Sequence, residues 1–146
     1  MPTSLACTYD PALRLLTTEL IGTVTVADAE RWNANVGSAL AAIPDGTSFR
    51  WLSNMHGYEP ADLNAHKGMR ATIPSALVRH GFLTGYFALT NMPPVPLHYD
   101  RGVVCAAIAH VHHDLDKMAR YREKIASPTE DFFTDLAAAR AWVLTR

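Results

Sequence analysis

Apolar and polar positions along the chain alternate between two periods, and the changes of period divide it into strands and helices. Residues 5–10 (LACTYD) and 13–20 (LRLLTTEL) are short apolar-rich runs joined through Asp10, Pro11 and Ala12. That spacing predicts an N-terminal β-hairpin. The period then changes. Ala29, Trp32, Val36, Ala39 and Ile43 recur at intervals of 3, 4, 3 and 4, the spacing of one helix face. Thr25 ahead of this run and Asp28 three residues later form a capping-box pair, and Pro44-Asp45-Gly46 ends the helix.

Residues 49–54 (FRWLSN) predict a third strand, followed by a loop over 54–60 (NMHGYEP) whose Pro60 suits a first helical position. Gly68 and Pro74 divide the next stretch into short helices near 61–66 and 74–80, with Thr72 as the cap of the second. Residues 82–89 (FLTGYFAL) read as a fourth strand, and 90–102 (TNMPPVPLHYDRG) as a thirteen-residue loop with three prolines. Residues 103–112 (VVCAAIAHVH) are apolar on both faces, which predicts a central strand. Asp114 caps a helix running to Ile125 with Leu115, Met118, Tyr121 and Ile125 inward, and Ser127-Pro128 stops it. A short strand at 132–134 and a helix at 135–144, with Leu136, Ala139 and Val143 on one face, close the chain. The order β-β-α-β-α-β-β-α-β-α predicts one α/β domain over 1–146, a mixed β-sheet packed by α-helices.

Composition narrows the function classes. The 146 residues are 49% apolar and 18% charged, against an average of roughly 25% charged. Low charge and an apolar, proline-rich loop point to a buried interface, and so to a homodimer. Net charge is −1 and the charges are scattered, leaving no footprint for nucleic acid. No stretch reaches the ~18 apolar residues of a transmembrane segment. The first six residues lack a basic start and a long apolar run, so no signal peptide is expected and a cytoplasmic location is. Cys7 and Cys105 lie in strand-like runs and read as buried free thiols. Trp32, Trp51 and Trp142 read as core.

Candidate chemistry gathers in two places. In HVHHD (110–114) the period of a strand puts His110 and His112 on one face, where they could hold a metal ion with Asp114, His98 or His56 as a third ligand. The competing reading is a strand surfacing into a helix, with Asp114 spent as its cap. HGYEP (56–60) lies past the C-terminal end of a strand, where open α/β sheets bind ligands. His56, Tyr58 and Glu59 would line that cleft with His66, Lys67 and Arg70. No Gly-x-Ser-x-Gly, Cys-x-x-Cys or glycine-rich phosphate loop occurs, so no nucleophile and no cofactor is expected.

Four stretches taken in order resemble one family. GTVTVADAERW (22–32), FRWLSNMHGYEP (49–60), AHVHHDLDKMARYREKI (109–125) and FFTDLAAARAWVL (132–144) are similar to the strand-to-helix turn, central strand and loop, late strand and helix, and closing strand and helix of STAS-type domains in their SpoIIAA-like branch. The resemblance implies a non-catalytic domain that binds partner proteins, small apolar ligands or membrane surfaces. Signalling members carry a phosphorylatable serine in an Asp-Ser-Ser-Gly-type loop. Here that loop reads SNMHGYEP with Ser53 inside the strand, so the phospho-switch is not carried over. The expected function is therefore a non-enzymatic small-ligand- or protein-binding regulatory domain. The alternatives are a small metal-dependent enzyme using His110 and His112, and membrane association through an amphipathic stretch near 61–80.

Overall fold

The computed structural model of the chain describes residues 3–89 and 95–146; residues 90–94 of the proline-rich loop lie outside them. In chain order the strands are β1 (Cys7–Asp10), β2 (Leu15–Glu19), β3 (Gly22–Val24), β4 (Ser48–Met55), β5 (Tyr58–Pro60), β6 (Val104–His112) and β7 (Glu130–Phe133). The helices are α1 (Val26–Ala41), α2 (Leu63–Met69), α3 (Thr72–Arg79), α4 (Tyr86–Leu89), α5 (Leu115–Ile125) and α6 (Leu136–Val143). Five strands make a mixed sheet in the order β1-β2-β4-β6-β7. The hairpin β1–β2 is antiparallel, with Cys7 opposite Thr18 and Asp10 opposite Leu15. All other pairs in this sheet are parallel, because a helix-bearing connection separates each strand from the next.

The sheet is apolar on both faces. Leu16, Phe49, Trp51, Cys105 and Ile108 face a cluster that includes Trp32 and Val36 of α1 and Leu77 of α3. Leu15, Leu52, Ala107, Ala109 and Val111 meet Ala139 and Val143 of α6 on the other side. The doubly apolar run in β6 thus has its cause: it is covered twice and has a strand on each flank. The middle position itself belongs to β4. Arg50 of β4 ties the periphery to this centre by donating to the carbonyls of Leu13 and Leu144.

Helix α1 forms where the apolar spacing and the cap coincide. Thr25 Oγ1 accepts from Asp28 N–H at 3.1 Å, and Asp28 Oδ2 accepts from Thr25 N–H at 3.1 Å. All five residues of its predicted face are buried. Thr25→Ala removes half of this reciprocal pair and is expected to cost about 0.5–2 kcal/mol in urea denaturation; an unchanged midpoint would show that the box contributes nothing.

Several expectations need correction. Residues 82–89 form no strand. Phe82 is buried, Leu83 is exposed, and a single helical turn, α4, follows. The cause is tertiary. Thr84 and Gly85 bond to Glu130, 45 or more residues away, and a Cβ on Gly85 would lie 2.7 Å from Ile125 Cβ. Only a glycine lets the backbone dock there, and that docking overrides the apolar run. Pro60 ends β5 rather than starting a helix. Its successor Ala61 donates to Val24 O at 2.7 Å, and Asp62 caps α2 by accepting from Ala65 N–H at 2.8 Å. Thr72 is the first residue of α3; Ala71 holds the cap position without a side-chain bond. Leu115 is 68% exposed and Leu136 40%, whereas Met118, Ala139 and Val143 are buried. Tyr121 and Ile125 are half-buried. Cys105 is buried and Cys7 half-buried, both as free thiols. Trp32 and Trp51 are buried and Trp142 half-buried. The parallel ladder β3–β5, three residues on each side, is not foreshadowed by any hydrophobic pattern.

Candidate functional site

Met55 of β4 lies beside His112 of β6, so the C-terminal ends of two parallel strands open at one edge of the sheet. Open α/β sheets bind ligands at such ends. Four imidazoles collect there. His56 follows β4 directly, in the turn to β5, and its ring centre lies 5.8 Å from that of His113. The rings of His112 and His113 stack at 4.2 Å. His66 of α2 meets the Tyr58 hydroxyl through Nδ1 at 3.3 Å, with the two rings stacked.

Two of these imidazoles have their protons placed by backbone donors. His113 Nδ1 accepts from Gly57 N–H at 2.9 Å, and His112 Nδ1 accepts from Asp114 N–H at 3.0 Å. A ring nitrogen that accepts carries no proton, so both rings hold theirs on Nε2. Burial is the main cause that pushes His112 down to about 4. The positive fields of Lys117, His113 and His56 add to it, and Asp114 opposes them. His66 is lowered by burial, then by Lys117 and Arg70. Burial pushes the Tyr58 phenol up to about 12, so it stays protonated. Lys117 therefore acts on both His112 and His66 and joins the two halves of the mouth.

The residues expected to line the cleft divide unequally. Tyr58 is buried and His66 half-buried at the mouth, and His56 stands exposed against His113. Arg70, at the C-cap of α2, acts on His66. Glu59 and Lys67 are exposed and make no side-chain hydrogen bond or ion pair among the described residues. His113 and Lys117 join the mouth without having been expected from the sequence. The dense imidazole run was the signal for the first; nothing local marks Lys117, which arrives on the first turn of α5.

His110 and His112 serve different partners. His110 Nε2 lies 2.8 Å from Glu130 Oε2 in the buried interior, its ring stacked on Phe132 at 4.8 Å. Asp114 accepts from Lys117 N–H at 3.0 Å as the cap of α5, and His98 is exposed in the stretch before β6. Among the described residues, no three His, Cys, Asp or Glu side chains gather as a metal-holding group. No helix among them is long and apolar enough to cross a membrane.

A separate groove of about 550 Å³ runs between β1 and α1, lined by residues including Leu5, Cys7, Tyr9, Ala39 and Pro44. Burial pushes the Cys7 thiol up to about 11, so the cysteine beside this groove is no ready nucleophile. No family model matches the chain, and no curated protein or solved structure matches it.

Proposed function

We propose that this chain is a non-catalytic α/β domain of the STAS type, in its SpoIIAA-like branch, which binds a small molecule at the imidazole-lined mouth. The observation that carries this reading is the gathering of His56, His112, His113, His66 and Tyr58 at the ends of β4 and β6. Catalysis by acid–base exchange needs an imidazole that can give and take a proton near neutral pH. Here His112 is held neutral, with Nδ1 already spent on a backbone donor. Both cysteines have raised pKa values, which removes the usual nucleophile.

The test is a fragment screen on the uniformly labelled chain, read by amide chemical shifts. Binders are expected to perturb His56, Gly57, His112 and His113. A screen in which no fragment reaches these residues defeats the reading. A second reading, an apolar ligand, is favoured by the groove between β1 and α1, and the same screen separates it: perturbation of Leu5, Cys7, Ala39 and Pro44's neighbours would place the ligand there.

A further inference from the structure

We propose that the group recognised at the mouth is an oxyanion, the carboxylate or phosphate of a small molecule, received between Lys117, His112 and His66. This rests on the mouth being the binding site and adds the chemistry of its occupant.

Donors prevail over acceptors at the mouth. His112 and His113 spend their acceptor nitrogens on Asp114 N–H and Gly57 N–H. What they have left is an Nε2–H each, and an N–H recognises an acceptor. Whichever of the Tyr58 hydroxyl and His66 Nδ1 donates in their bond, the pair keeps one O–H or N–H for a ligand. Asp114 accepts from Lys117 N–H and Asp62 from Ala65 N–H, so both are spent as helix caps, and Glu59, next to Tyr58 in the chain, is exposed. Lys117 and Arg70 are consequently left without a carboxylate partner among the described residues, whose ion pairs involve Arg31, Arg101, His110 and Arg122. The Lys117 ammonium instead lies 5.8 Å from the centre of the Tyr121 ring. Two cations without an ion pair among the described residues and a set of N–H donors favour an anion over a metal ion, with the Asp114 charge, which Lys117 also feels, acting against them. A ligand carboxylate or phosphate would supply what the fold has withheld from Lys117, and its field would favour a proton on His112, opposing Lys117, His113 and His56 and acting with Asp114.

The experiment observes the histidine rings of the full chain by nitrogen-15 NMR. Without ligand, His112 and His113 are expected as Nε2–H tautomers. Inorganic phosphate and, separately, acetate are then titrated at constant ionic strength against chloride. A saturable shift at His112 and His66 with phosphate alone assigns a phosphate group, and with acetate alone or with both, a carboxylate or a general oxyanion. Lys117→Met and Arg70→Gln are each expected to weaken binding about tenfold, the loss of one charge-assisted contact. The inference is overturned if fragments bind the mouth while phosphate and acetate move neither ring. It is equally overturned if both variants titrate like the parent, or if one equivalent of zinc converts the ring nitrogens to metal-bound signals. If neither fragments nor oxyanions reach the mouth, the binding site itself is wrong.

Discussion

Replacing Glu130 by alanine is expected to lower stability by about 3–5 kcal/mol, because it deletes a buried carboxylate and leaves three groups without their partner. Glu130 is 2% exposed, and its carboxylate joins three parts of the fold. Oε2 lies 2.8 Å from His110 Nε2 on β6 and accepts from Thr84 Oγ1 at 2.7 Å; Oε1 accepts from Gly85 N–H at 2.8 Å. Alanine would strand a histidine, a hydroxyl and an amide in an interior closed by Tyr86, Tyr121 and Phe132, whose rings meet at 5.3 to 5.9 Å. The segment at 84–89 is tied to the sheet by this carboxylate and by the Tyr86 ring against His110, Tyr121 and Phe132. Its amides should therefore exchange faster in Glu130→Ala than in the parent, while those of β4 keep their order. Glu130→Gln retains the shape and one acceptor and should lose less. A urea midpoint for the alanine variant within about 1 kcal/mol of the parent would show that the network is ornamental.

The same carboxylate sets a pH dependence whose sign can be worked out. Burial raises the Glu130 pKa, but the bonds from His110, Gly85 and Thr84 prevail, and the net shift is downward from 4.5. A folded-state pKa below the unfolded one means that the network contributes in full above the ordinary carboxylate range. Its contribution is lost as pH falls through the depressed value. The other titratable groups acting on it are His110 and Cys105 of β6 and Tyr86. The parent should lose stability more steeply than Glu130→Gln below about pH 4.5, and equal slopes would contradict the assignment.

How much of this architecture could be read from the chain depended on whether the cause of each element was local. Thr25, Asp28 and the apolar face from Ala29 to Ile43 act within one helix, so α1 was legible with its cap. Asp114 and the start of α5 were legible for the same reason. Residues 82–89 were not, because their apolar run looks strand-like while their conformation is decided by Glu130 and by the contact of Gly85 with Ile125. The buried exchange between His110 and Glu130 was hidden by a separation of 20 residues; Glu130 in SPTE carries no local mark of burial. Leu115 and Leu136 misled in the opposite direction. Each follows a capping aspartate, as the first residue of its helix. The mouth was half legible: HGYEP pointed to His56 and Tyr58, but whether His112 and His113 donate or accept is fixed by Asp114 and Gly57 backbone, which no spacing rule displays.

Trp51→Ala is expected to be comparably damaging, on the order of 5 kcal/mol, because two costs fall on one residue. Trp51 is fully buried in the middle strand, opposite Leu16 of β2 and Ile108 of β6. Its ring centre lies 6.2 Å from that of Phe49. Removing the indole opens a cavity at the centre of three strands, which accounts for about 3–5 kcal/mol. It also frees Thr18 Oγ1, which accepts from Trp51 Nε1 at 2.9 Å and belongs to a residue 1% exposed. The two costs can be separated. Trp51→Phe keeps much of the ring but strands the hydroxyl, for about 1–3 kcal/mol plus a smaller cavity. Adding Thr18→Val removes the stranded group. The double variant should thus be less unstable than the sum of its singles by about 1 kcal/mol or more. Strict additivity would mean that the indole N–H and the threonine hydroxyl do not depend on each other, and that β2 is held to β4 by packing and the backbone ladder alone. Trp32 offers the internal control: its Nε1 has no partner among the described residues, so an indole of similar burial, 1% exposed, contributes there by packing without a bond to lose.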